Sequence, residues 1–501
     1  MKRLRRARGT VVLCLLSAFL DTAAVAAVLR GTVVANRTGR PLARSQVKIE
    51  AVNKGAPGTT RSALTGSAGE FVFENLPAGA YFVSASRPGF APAKYGQQRW
   101  NTQGTPVVLE ASSAFAAEIR LKKLGVITGT VLDENQVGFT DHSVHVYQAG
   151  TRLTLVAGAQ TNDAGTYRIA GLKPGKYYVR TGSKELEDKQ GLLPTYFGQT
   201  LAAKESRPVE VALDEERDGI DISPIPGKLV SVRGTLHGSA ATVALYGDTG
   251  RREQSVPAGG AFAFDQLAPG EYQLVAESGS GENLLTAYQT ISASRPVENV
   301  LLQLAPAPRV RITCTERHGA PLDTRTVSVF IRRKEPPEEQ SRRAACGQDV
   351  ALPPGAWDVA AHAPAGFYVS AVSGATVAEN SHEFTLASDR KRELNIVLSS
   401  QPAILAGTVQ TQDGSPAIGA PVFLKASDAD VRSRLGGVTS VRTDQDGKYR
   451  FPGVPPGTYE AISSFDLESG GDAEWEPGSG KSITLEEDAD ATLDLPLTQL
   501  N

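Results

Sequence analysis

The chain has 501 residues, including 50 glycines and 30 prolines, and a formal net charge of −2. That length exceeds one small core and fits roughly three to five ordinary domains, while 41% hydrophobic residues exclude wholesale disorder. Charges of both signs are scattered along it, so it offers no basic stripe to a nucleic acid.

The first element is a targeting signal. Lys2, Arg3, Arg5, Arg6 and Arg8 precede a short apolar run from Val11 to Leu20, and Ala24-Val25-Ala26 and Val25-Ala26-Ala27 both end in small residues. This pattern predicts a signal peptide over residues 1–27 and an exported protein, whether periplasmic, surface-bound or secreted. Cys14, inside the apolar run, is incidental. No later apolar stretch is long enough to span a bilayer, so no transmembrane segment is expected in the mature chain. Losing residues 1–27 removes the five basic side chains together with Asp21 and leaves a more acidic chain.

The mature sequence is organised by a repeat. Its hexapeptides are Leu76-Pro-Ala-Gly-Ala-Tyr81, Leu172-Lys-Pro-Gly-Lys-Tyr177, Leu267-Ala-Pro-Gly-Glu-Tyr272, Leu352-Pro-Pro-Gly-Ala-Trp357 and Val454-Pro-Pro-Gly-Thr-Tyr459. Their spacing of roughly 100 residues is the length of one β-sandwich and too long for a solenoid repeat. Proline followed by glycine predicts a type II turn, and the alternation after it (Tyr81-Phe-Val83-Ser-Ala85) predicts a half-buried strand. A second signature lies just upstream: Asp163-Ala-Gly165-Thr-Tyr167 and Asp446-Gly447-Lys-Tyr449, with weaker forms at Gly69-Glu-Phe71 and Gly260-Ala-Phe262. A third opens the modules, as Gly31-Thr-Val33, Gly129-Thr-Val131, Gly234-Thr-Leu236 and Gly407-Thr-Val409. Glycine inside a strand implies a bulge or a close backbone approach. The fourth module diverges, with Val310-Arg-Ile312-Thr-Cys314 in its place.

These signs predict an all-β chain of five tandem modules: 28–124, 125–226, 227–306, a divergent 307–400, and 401–501. Gly-Thr-Val, Gly39-Arg-Pro41, Asp-x-x-Gly-x-Tyr and Leu-x-Pro-Gly-x-Tyr together resemble the carboxypeptidase regulatory-like domain, strongly in modules one, two and five and weakly in three and four. The resemblance implies an immunoglobulin-like (transthyretin-like) Greek-key β-sandwich, akin in shape to adhesin modules and carbohydrate-binding-like folds. The junctions around 121–125, 224–228, 305–308 and 399–402 carry proline or lysine and should be stiff, which predicts a rod.

No chemistry-bearing constellation emerges. The histidines lack His-x-x-Glu and His-Glu-x-x-His spacing, and His142 and His145, three apart, would face opposite sides of a strand as an exposed pair. Gly478-Ser-Gly-Lys481-Ser482 lacks the first glycine of a phosphate loop. Asp444-Gln-Asp446-Gly447 lacks the distal glutamate of a calcium loop and reads as a turn. The basic stretch Arg332-Arg333-Lys334 borders acidic residues and reads as a solvated loop. Cys314 and Cys346 are candidates for a disulfide in an oxidising compartment, with free buried thiols the alternative. The expectation is therefore a protein without catalysis, metal or cofactor.

Binding is sought in loops. Tyr95-Gly-Gln97-Gln-Arg-Trp100 and Tyr196-Phe197-Gly-Gln199 recur at matching positions, and Trp475 sits in an acidic, glycine-rich stretch. Aromatics beside glutamines suit stacking on a sugar and bonding its hydroxyls. Equally, Tyr95, Tyr196 and Phe197 would serve to close the sandwich ends. The partner expected is a glycan or cell-envelope polymer. The alternative is a structural or adhesive spacer that binds protein, and no nucleic acid is expected.

Overall fold

The computed structural model describes residues 26–52, 60–149, 153–186, 191–247, 250–334, 341–374, 382–386, 392–435, 437–468 and 473–500. Apart from residues 26 and 27, the segment expected to be a signal peptide lies outside them, as does Cys14. Ala27 is already the first residue of a strand and fully buried. Strands dominate; the one α-helix among the described residues is short, Ala429–Arg434.

The first module shows the plan. Its strands are β1 (Ala27–Ala35), β2 (Gln46–Ala51), β3 (Thr60–Leu64), β4 (Glu70–Leu76), β5 (Gly79–Ser86), β6 (Ala93–Lys94), β7 (Val107–Leu109) and β8 (Ala114–Leu121). One sheet runs β4-β1-β8, with β1 antiparallel to β4 and parallel to β8; the other runs β3-β2-β5-β6, with β7 also on β5. Alternation puts Val47, Ile49, Phe71, Phe73, Tyr81 and Val83 between the sheets as one core. Similar paired sheets enclose buried apolar clusters spanning Ile127–Ile222, Val230–Leu304, Val310–Leu398 and Ala403–Leu495.

The glycine of the first strand answers a close approach. A side chain on Gly31, Gly129, Gly234 or Gly407 would start about 2 Å from a carbonyl oxygen of the parallel neighbour (Ala117, Ile220, Val300, Leu493). It would also meet the aromatic of the second signature, Phe71, Tyr167, Phe262 or Tyr449. Two of these rings complete the lock with their hydroxyls, which donate at 2.5 Å: Tyr167 to the Ile220 carbonyl and Tyr449 to that of Leu493. In the fourth module the strand facing this position is Asp349–Ala351, which carries no aromatic residue, and a buried Ile312 stands where glycine does elsewhere.

The hexapeptide is not a type II turn. Gly79, Gly175, Gly355 and Gly457 have φ of 137–159°, beyond the value near 80° that turn requires, and each opens a strand. The bend is closed by a side chain instead. Tyr81, Tyr177, Tyr272 and Tyr459 donate their hydroxyls to the carbonyl four residues back, of Pro77, Lys173, Ala268 and Pro455, at 2.6–2.9 Å. Trp357 does the same through Nε1 to Pro353 at 3.1 Å. A buried aromatic needs a partner for its polar end, and this bond supplies it while fixing the turn.

The junctions are pinned by hydrogen bonds. Lys123 N–H donates to the Asp214 carboxylate at 2.7 Å, and Asp214 N–H returns to the Lys123 carbonyl at 2.8 Å. Ile225–Gly227 pairs as a strand with Gly191–Leu193, and Ala305–Pro306 pairs with Leu285 and Thr286. Glu487 accepts from His318 Nε2 (3.1 Å), Tyr368 (2.9 Å) and Ser399 (3.0 Å), which hold its carboxyl below the usual range. Arg333, expected in a solvated loop, is 1% exposed in strand Ser328–Arg333. Its guanidinium lies 4.6 Å from the Tyr288 ring of the preceding module, close to Trp357, and donates to the Pro354 carbonyl. Its neighbours are ion-paired, Arg332 with Asp358 and Lys334 with Glu383.

The array is not a rod. Its last module returns to its first: Arg442 stacks 4.2 Å from the Phe82 ring centre and donates to Gln103 Oε1. Thr102 and Glu468 form a β-bridge there, and Arg99 reaches the Leu500 carbonyl at 3.4 Å.

Candidate functional site

The loop after β6 is built by its own polar groups. Gln97 accepts from Lys94 N–H at 2.9 Å and donates to the Arg99 carbonyl at 2.8 Å. Gly96, at φ 69°, packs where a side chain would strike Thr105. Asn101, at φ 61°, turns the tip. The effect is to hold Trp100 half-exposed beside a cleft of about 290 Å³ between this loop, β8 and Leu213 of the second module.

The cleft is strongly basic. Lys94, Arg99, Arg120 and Lys122 line it against one carboxylate, Glu118, which is paired with Arg120 at 2.7 Å. Lys94 is half-buried, and its nearest polar contact, Gln103 Oε1 at 3.4 Å, is shared with Arg442. Burial, and secondarily the Arg442 charge, pull the Lys94 ammonium below the usual lysine range; Glu50 partly opposes them.

The other sequence candidates do different work. Tyr95 is half-buried, edge-on to Phe115 with ring centres 5.6 Å apart. Its counterpart is Phe197: Tyr95 N–H and Phe197 N–H bond Val83 and Val179 at 2.8 Å. Phe197 packs on the second core. Tyr196 is 1% exposed beneath the Arg180 guanidinium at 5.1 Å, so it closes the sandwich end and presents no face to a ligand. Gln199 is exposed, but its amide oxygen accepts from Ser223 N–H at 3.0 Å. Trp475, expected on an exposed loop, is buried against Phe423, Ile462 and Leu467 with the Lys425 ammonium 5.1 Å from its ring. The structure thus brings Tyr95, Gln97 and Trp100 together, and leaves Tyr196, Phe197, Gln199 and Trp475 elsewhere. Nor are His142 and His145 an exposed pair, since His142 is 1% exposed beside Phe139. Cys314 and Cys346 are bonded, with Cα atoms 5.5 Å apart.

Sequence reasoning missed Lys94, Arg120 and Lys122. They lie on β6, on β8 and just after it, far apart in sequence, and no local motif joins them.

Residues 28–122 and 404–498 match the family model of the carboxypeptidase regulatory-like domain. The cleft is built largely on the first matched segment, and Arg442, which crowds Lys94, comes from the second. No curated protein matches the chain. Among solved structures, the minor pilin of Streptococcus agalactiae overlaps 39% of this chain and 94% of its own at 12% identity and a TM-score of 0.25. A pilus adhesin of Lactobacillus rhamnosus GG overlaps 72% and 57% at 12% identity and 0.16. The major pilin subunit of Bacillus cereus overlaps 75% and 99% at 11% identity and 0.17. At these scores the overlaps bear on neither the fold nor the function of this chain.

Proposed function

We propose that the chain is an exported, non-catalytic protein of five β-sandwich modules that binds a glycan or cell-envelope polymer in the cleft beside Trp100. The carrying observation is Trp100 itself, a large ring held half-exposed at a concave surface by a loop whose Gln97 amide is already engaged. A ring so held offers its face to a sugar at little entropic cost, and Gln98, exposed at the same cleft, supplies a hydroxyl partner. The five-module reading is supported by the aromatic-to-carbonyl bond repeated at every hexapeptide. Export is supported by the N-terminal basic and apolar pattern and by the Cys314–Cys346 bond, which suits an oxidising compartment.

Titration calorimetry with a panel of soluble polysaccharides tests this. Trp100→Ala should weaken binding by about 1–2 kcal/mol, while Tyr196→Phe should leave it alone. Binding equal in wild type and Trp100→Ala overturns the assignment. A scaffolding role is favoured by a separate observation, the hydrogen-bonded junctions, which hold neighbouring modules at set angles and so present surfaces to a protein partner in fixed relation.

A further inference from the structure

The cleft's charge is out of keeping with the rest of the chain. Surface cations elsewhere are commonly neutralised, as in the pairs Lys48–Glu50, Arg168–Glu216, Arg233–Asp265 and Arg311–Asp349. At the cleft, among the described residues, Lys94, Arg99 and Lys122 have no carboxylate within ion-pair distance. Lys94 is also half-buried beside a second cation, Arg442, with one amide oxygen between them. Desolvating an ammonium next to a guanidinium is unfavourable unless an anion is supplied. The nearest acid the chain offers, Glu50, opposes this only in part and is itself paired with Lys48.

We propose that the cleft takes a polymer whose repeating sugars bear anionic groups, with a carboxylate, sulfate or phosphate held by Lys94, Arg99 and Lys122 while a ring stacks on Trp100. This rests on the reading of the cleft as a glycan site and specifies its ligand class. Trp100 stands for the sugar, because a bare anion site has no use for a large apolar face at its rim. The cations stand for the charge, because hydroxyl groups do not call for ammonium and guanidinium groups that lack a carboxylate partner. Arg120 is already engaged by Glu118, so the charge without a carboxylate belongs to the other three, of which Arg99 also reaches the Leu500 carbonyl.

Calorimetry on the full mature chain separates the alternatives, with polygalacturonate, dextran sulfate and uncharged dextran as probes. Polygalacturonate or dextran sulfate should bind at least tenfold more tightly than dextran, and weaken as salt rises. Lys94→Gln should cost about tenfold in affinity, as for a hydrogen bond to a charged group. Lys122→Gln, fully on the surface, should cost about two- to fivefold. Trp100→Ala should weaken every sugar polymer but leave purely charge-driven adsorption, the part that salt abolishes, unchanged. Preference for polygalacturonate assigns carboxylate, and preference for dextran sulfate assigns the more highly charged ester. Dextran binding as well as the anionic polymers, with both lysine variants unchanged, overturns the anionic class and leaves the glycan reading standing. Duplex DNA binding as tightly as polygalacturonate, with Trp100→Ala unchanged, overturns both.

Discussion

At the scale of single residues, two recurring atoms carry the fold: the glycine of the first strand and the polar end of the aromatic after each hexapeptide. Tyr459→Phe removes the bond to Pro455 and leaves a buried carbonyl unmatched, which should cost about 1–2 kcal/mol in urea unfolding, with the structure otherwise intact. Half of this was legible. A glycine inside a strand announced a close approach, but nothing local shows that the aromatic 40 residues on, Phe71 over Gly31, is what approaches. The turn was misjudged because proline-glycine fits a type II geometry by propensity, whereas the observed φ follows from a side-chain bond that propensity does not contain. His142 gives a residue-scale titration. Burial lowers its imidazole from 6.5 to about 4, so above pH 6.5 it is neutral whether folded or not, and its full contribution is present. As pH falls from 6.5 towards 4, the unfolded chain takes a proton that the folded chain resists, and stability drops by on the order of 3 kcal/mol. His142→Phe should flatten that slope in melts between pH 7.5 and 4.5. An unchanged slope would place the titration elsewhere.

At the scale of elements, strands were readable from alternation, and loops were not. Trp475 and Trp100 look alike in sequence, each an aromatic among polar and small residues. What separates them is a cluster, Phe423, Ile462 and Leu467, that forms only when strands from across the last module converge. The basic cleft was invisible for the same reason, because its cations come from β6, β8 and the loops beside them. The divergent fourth module offers an element-scale test. It lacks the glycine-aromatic lock and instead ties strand Arg309–Glu316 to the turn after Ser341–Ala344 through Cys314–Cys346. Closing a loop of 32 residues is worth about 3–4 kcal/mol in the chain-entropy account. Reduction with dithiothreitol should therefore lower one unfolding transition in calorimetry selectively. A uniform shift of every transition would count against that assignment.

At the scale of the whole molecule, the all-β character was legible from the repeat, and the path of the array was not. Composition led to an expectation of stiff junctions, but direction depends on pairs such as Lys123–Asp214 and on the groups converging on Glu487, which lie far apart in sequence. The return of the last module to the first hangs largely on Arg442. Arg442→Ala removes its stacking on Phe82 and its bond to Gln103, about 1–3 kcal/mol together. Small-angle scattering should then show a larger radius of gyration and a longer maximum dimension. An unchanged profile would show that Thr102, Glu468 and Arg99 suffice to hold the ends.

That closure has a mechanical meaning. A rod loaded along its length passes tension straight through its sheets, where strands must shear together and resist strongly. A chain whose first and last modules clasp each other meets load first at the clasp, a few side chains wide and easily parted. Pulled apart, it would pay out hidden length at low force while every sandwich stays intact, and on release it would re-engage. Arg442 would then act as a fuse, and the reserve of slack behind it as a shock absorber for whatever the Trp100 cleft is holding.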